Sequence, residues 1–173
     1  MANSPYVTGL FRDRDSAERA YNSITERGYT KDDVNLVMSD DTRKRHFSTD
    51  TGVTTELGTK AAEGAGIGGA IGGTVGAIAA AIAAVGTTLA IPGLGLVVAG
   101  PVAAALAGAG AGAAGGGLIG ALIGWGIPEE RVQQYETGIK EGGILLGVKP
   151  RSDDDALHFE NSWKSYNGEQ VYR

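Results

Sequence analysis

Ile144-Leu145-Leu146-Gly147-Val148 repeats Tyr6-Val7-Thr8-Gly9-Leu10, with glycine in the same fourth place. Each run reads as a short strand, and each is followed by a helical stripe. After the first come Ala17, Ala20, Tyr21 and Ile24, spaced i, i+3, i+4 and i+7; after the second come Ala156, Phe159, Trp163 and Tyr166. Asp15 to Glu18 has the outline of a capping box, and Gly28 stands where a left-handed residue ends a helix. Ser152 with Asp153, Asp154 and Asp155 caps the later helix and sets negative charge at its positive end. Val34 to Met38 and Gln170 to Tyr172 read as the closing strand of each unit. Two βαβ units predict an α+β fold, a ferredoxin-like split βαβ sheet with helices on one face. An extra helix begins at Pro128, buries Val132, Tyr135 and Ile139, and ends at Gly142-Gly143.

Between the two units lie 65 consecutive residues, 64 to 128, without Asp, Glu, Lys or Arg. Gly64, Gly68, Gly72 and Gly76 continue as Ala80 and Ala84; a second series runs Gly100, Ala104, Gly108, Gly112, Gly116, Gly120 and Gly124. A spacing of four places each series on one helix face, bare enough for a second backbone to approach closely. The expectation is a glycine-zipper helical hairpin, from Gly64 to about Leu89 and from about Gly100 to Trp125, turning at Ile91-Pro92-Gly93-Leu94-Gly95. Each arm, about 25 residues, is long enough for ~30 Å of hydrocarbon. Because both flanks build one sheet, the insertion must cross a membrane an even number of times or not at all. The organisation expected is 1–40 and 127–173 as halves of the ferredoxin-like domain, 41–60 as a polar linker, and 61–126 as the hairpin.

The 173 residues carry 15 basic and 20 acidic side chains, a net charge of −5 with no basic face or tail, which argues against nucleic acid as a partner. With no cysteine, disulfides and thiolate chemistry are excluded. The N-terminus lacks the basic and apolar regions of a signal peptide, so the expected compartment is the cytoplasm or a membrane facing it.

Several segments together carry a resemblance. They are Tyr6-Val7-Thr8-Gly9-Leu10-Phe11, a helix ending in Arg27-Gly28-Tyr29, and Asp33-Val34-Asn35-Leu36-Val37. Later come Pro128-Glu129-Glu130, Tyr135-Glu136-Thr137-Gly138-Ile139 and Glu141-Gly142-Gly143-Ile144-Leu145. The set resembles the bacterial general stress proteins, whose heat-induced-stress domain is split by a central glycine zipper. The resemblance implies bacterial origin, stress-linked expression and membrane association through the zipper; it implies no catalytic residues.

Sharper chemical readings fare poorly. Gly64 to Gly69 and Gly110 to Gly115 fit the dinucleotide pattern GxGxxG, but neither has the full context of a strand before it, a helix after it and an acidic residue about 20 positions on. No lysine lies in the segment, which excludes a P-loop. Asp153-Asp154-Asp155 reads as a helix start rather than a metal site. Arg43-Lys44-Arg45 with His46 is either a solvated linker or a contact with anionic headgroups, worth about 1 kcal/mol per basic residue. Trp125 suits an interfacial belt or burial against the domain equally, and His158 reads as a surface residue. No nucleophile, base or acid pair stands out, so no enzymatic activity, cofactor, metal or small-molecule substrate is expected.

Two functional classes remain. In the leading one, a stress-response structural protein self-associates through its zipper and sits in the cytoplasmic membrane, with lipid as partner and the globular domain in the cytosol. In the alternative, the hairpins form the protein core of a soluble cage, ring or filament. A pore is disfavoured because Thr74, Thr87 and Thr88 alone offer hydroxyls to line it. A second small-residue stripe on each arm (Ala65, Gly69, Gly73, Ala77, Ala81; Ala105, Ala109, Ala113, Gly117) predicts homo-oligomers in either class. The residues expected to make the packing contacts are Gly64, Gly68, Gly72, Gly76, Gly108, Gly112, Gly116, Gly120 and Gly124.

Overall fold

The computed structural model describes residues 6–47, 88–91, 95–101, 103, 122–123 and 126–173, and of 88–91 the backbone path. They form an α+β fold in the order β1 (Val7–Phe11), α1 (Arg14–Glu26), β2 (Val34–Ser39), α2 (Asp40–Phe47), β3 (Thr88–Ile91), β4 (Leu96–Ala99), α3 (Glu129–Lys140), β5 (Ile144–Val148), α4 (Asp153–Ser165) and β6 (Glu169–Tyr172). The six strands make one sheet in the order β3-β4-β2-β5-β1-β6. Every neighbouring pair is antiparallel.

The repeat that opens the sequence lies at the centre of this sheet. Thr8 stands opposite Gly147 and Gly9 opposite Leu146. Gly147 is the repeat-mate of Gly9, and Leu146 that of Thr8, so the two pairs exchange under a local two-fold axis between them. The helix ends follow from their sequences. Gly28, at φ +76°, closes α1 as expected, with its N–H on Thr25 O and the Tyr29 N–H on Ile24 O. Gly142, at φ +100°, closes α3 in the same way. Ser152 caps α4 by accepting from the Asp155 N–H at 3.1 Å. At α1 the cap falls earlier than expected: Asp13 accepts from Ser16 N at 2.8 Å, so Asp15 belongs to the first turn and Asp15–Glu18 is not the capping box.

Both faces of the sheet are buried, which corrects the expectation of helices on one face. Val7, Phe11, Leu36, Met38, Ile144, Leu146 and Val148 lie under α1 and α4, whose Ile24, Phe159 and Trp163 are fully buried. Leu10, Val37, Leu145 and Val98 belong to a second core with Val132, Tyr135 and Ile139 of α3. The alternation of the strands had already required this: with side chains pointing to opposite faces in turn, Leu10 and Leu145 cannot share a face with Phe11 and Ile144.

The insertion departs most from expectation. Its middle is not a turn between two helices but a β-hairpin, β3 and β4, added to the sheet beside β2. Leu96-Val97-Val98-Ala99 is buried on both faces, and the β-branched pair favours a strand there. Gly100, counted above in a helical stripe, ends β4 at φ +107°, where an added Cβ would run into the Val34 carbonyl and Asn35. The polar stretch 41–60 begins as α2, whose Thr42 and Phe47 are buried.

These findings correct the membrane reading. Among the described residues, no helix is long and apolar enough to cross a membrane. A two-span hairpin would also carry its turn to the far side of the bilayer, whereas residues 88–91 and 96–99 are paired into the same sheet as β2 and β5. Transmembrane helices, lipid as a partner and a cytoplasmic-membrane location are therefore not upheld, and no glycine-zipper hairpin is found among the described residues. Gly64, Gly68, Gly72, Gly76, Gly108, Gly112, Gly116, Gly120 and Gly124 lie outside the described residues, as do Trp125 and both GxGxxG matches.

Candidate functional site

Three polar or apolar junctions are built where the halves of the domain and the insertion meet. The first joins the α1–β2 loop to the start of α4. Tyr29 donates its hydroxyl hydrogen to Asp155 Oδ2 at 2.6 Å and accepts from the Arg151 N–H at 2.7 Å. Arg27 holds the other Asp155 oxygen at 2.5 Å. The Arg151 guanidinium lies 4.1 Å from the Tyr29 ring centre and pairs with Asp33 at 3.0 Å. The hydrogen bond from Tyr29, then the Arg27 pair, hold the Asp155 carboxyl below the usual aspartate range. Burial, and then that same bond, push the Tyr29 hydroxyl up. These groups satisfy one another, so the arrangement fastens two loops rather than presenting reactive atoms.

The second junction is a tyrosine set into a strand irregularity. Between Thr8 and Leu10 the pairing of β1 with β6 shifts register, and Gln170 adopts φ +51°. Its carbonyl accepts the Tyr135 hydroxyl at 2.6 Å. Since that hydrogen is committed, Thr8 Oγ1, 2.9 Å away, donates to the tyrosine oxygen. Burial pushes the Tyr135 hydroxyl up. Sequence reasoning found Tyr135 as a buried position but had no signal for its hydroxyl partner, because a left-handed glutamine is invisible in a sequence. The Arg131 guanidinium sits 3.8 Å from the Tyr172 ring centre beside it.

The third junction is the root of the insertion. Ala103 and Leu122, on either side of segment 104–121, are both fully buried in the α3-side core with Leu96, Val98 and Ile127. Chain leaving at Ala103 and returning at Leu122 is thus held in one apolar cluster. On the opposite face α2 brings its basic residues to the surface already paired: Arg43 and Lys44 both bind Asp40, at 2.9 and 2.6 Å. Lys44, then Arg43, hold the Asp40 carboxyl below its usual range. Two of the three charges considered for headgroups share that one carboxylate within their own helix. The Asp153–Asp155 run does what capping requires, and among the described residues no cluster of three His, Asp or Glu could hold a metal ion.

No protein-family model matches this chain, and no curated protein or solved structure does so either.

Proposed function

We propose that this protein is a non-enzymatic, self-assembling scaffold of the stress-protein kind. Its α+β domain is ferredoxin-like, in that β6-β1-β5-β2 reproduces the strand order of a split βαβ sheet. The uncharged segments on either side of the β3–β4 hairpin supply the contacts between copies. One observation carries this reading: the uncharged insertion is stitched into a protein core at its middle and at Ala103 and Leu122. At Leu96 to Ala99, Ala103 and Leu122 its environment is protein. Bare glycine faces recover the cost of glycine in a helix, about 1 kcal/mol each against alanine, only by close contact. Among the described residues the buried serine, threonine and asparagine side chains are Thr8, Ser16, Ser23, Thr42 and Asn35. None of these titrates near neutrality.

Light scattering on the full chain, without lipid or detergent, tests the reading. A particle of several subunits is expected, and the double change Gly72→Leu with Gly116→Leu is expected to reduce its mass. A monomer at every concentration, or a mass indifferent to both leucines, would overturn it.

A further inference from the structure

Helices α1, α3 and α4 close in the same way, with a left-handed residue followed by an N–H that reaches back into the helix. The Tyr29 N–H returns to Ile24 O, the Gly143 N–H to Gly138 O and the Gly168 N–H to Trp163 O, the last at 2.8 Å. The left-handed residue is Gly28 in α1 and Gly142 in α3, but in α4 it is Asn167, at φ +59°. Asparagine is the usual substitute for glycine at such a position. The next residue has no such latitude. A Cβ on Gly168 would lie 2.6 Å from the Trp163 carbonyl oxygen and 2.9 Å from the Val171 side chain. The closure of α4 thus sets an Asn-Gly pair at the surface, with Asn167 exposed.

Of the asparagines in the chain, only Asn167 precedes a glycine. Asn22, Asn35 and Asn161 precede Ser23, Leu36 and Ser162, inside α1, β2 and α4. A glycine nitrogen has no side chain of its own residue to hinder its approach to the preceding amide. We propose that Asn167 is a site of self-modification, converted to aspartate and isoaspartate when the end of α4 opens. The Gly168 nitrogen gives up its proton and bonds to the Asn167 side-chain carbonyl carbon. The bond from that carbon to the amide nitrogen breaks, and ammonia leaves with the proton. Water then opens the cyclic imide at either carbonyl, giving aspartate by one route and isoaspartate by the other. Ammonia is exchanged for water, and nothing is oxidised or reduced.

The helix closure is the gate. While Trp163 O holds the Gly168 N–H, that proton is committed and the peptide cannot turn toward the Asn167 side chain. The bond has to open first, and helix ends open far more readily than the whole fold. The product does not close again as the parent did. Isoaspartate routes the main chain through one extra carbon just before β6. Gly168 is wedged between Trp163 and Val171, so the added length is not absorbed there. It falls on β6, whose Gln170 carbonyl accepts the Tyr135 hydroxyl. Either product also sets a carboxylate at the negative end of the α4 dipole. Each opening of α4 that leads to reaction therefore leaves β6 loosened for good.

Peptide mapping by mass spectrometry on the full chain, incubated at neutral pH in buffer and in urea, tests this. Conversion at Asn167 is expected to be at least tenfold faster in urea than in buffer, and faster there than at any other asparagine. No conversion at Asn167 in urea removes the chemistry, and equal rates in the two media remove the gate; either result overturns the proposal. Asn167→Gly keeps the left-handed closure and lacks the amide. Parent chain converted in urea and then refolded is expected to melt several degrees below fresh parent refolded from urea. Asn167→Gly carried through the same incubation should keep its melting temperature. A converted parent that melts with the fresh one, or an Asn167→Gly chain that loses as much as the parent, would overturn the claim that the modification loosens β6.

Discussion

The Tyr135 hydroxyl donates to the Gln170 carbonyl at 2.6 Å, and through it α3 fixes the one irregular strand of the sheet. Tyr135→Phe keeps the ring and removes the donor, leaving the Gln170 carbonyl and the Thr8 hydroxyl short of a partner. The Thr8 side chain is buried, and a buried polar group so stranded costs about 1–3 kcal/mol. Urea unfolding should show a loss of that size with an unchanged slope, and a loss near zero would mean that water replaces the phenol.

Gly100 separates two accounts of the insertion by sign. On an exposed helical stripe, Gly→Ala would stabilise by about 1 kcal/mol. At φ +107° and against the β2 backbone, the same change must destabilise by more than about 1 kcal/mol. Thermal melts of Gly100→Ala decide between them; a raised melting temperature contradicts the strand.

The Tyr29–Asp155–Arg27 junction predicts acid sensitivity. Because the folded-state Asp155 carboxyl lies below its unfolded value, its contribution is complete above about 3.9, the ordinary aspartate value. That contribution is lost as pH falls further, through the folded-state value. Asp33 adds in the same direction: burial opposes its ionisation, but bonds from Thr30 and Arg151 outweigh it. Stability measured from pH 6 down to pH 2 should fall less steeply in Asp155→Asn than in the parent chain. Equal slopes would remove Asp155 from the account.

The outer halves of the chain were legible because their periods are clean. The shared glycine of Gly9 and Gly147, the stripe Ala17-Ala20-Tyr21-Ile24, and the stops at Gly28 and Gly142 stand where the sequence suggests. Gly9 also has a packing reason, since an added Cβ would come within 2.9 Å of Trp163. The β3–β4 hairpin was not legible for a physical reason. Leu96-Val97-Val98-Ala99 is buried on both faces and shows no two-residue alternation, and it sits among glycines whose four-residue spacing imposes a helical reading. The spacing does break there: Thr88, Pro92 and Leu96 occupy the positions where small residues should continue. The loop partners Tyr29, Asp155 and Arg151 come from distant parts of the chain and carry no local pattern.

The central claim, that the middle of the uncharged insertion belongs to the sheet, is tested most directly by nuclear Overhauser contacts. Val37 and Val98 face each other as a non-hydrogen-bonded antiparallel pair, the arrangement that brings the two Cα atoms to about 4.5 Å. A strong Hα–Hα contact between them is predicted in the full-length protein. Its absence, together with sequential contacts of helical type across 96–99, would contradict the account.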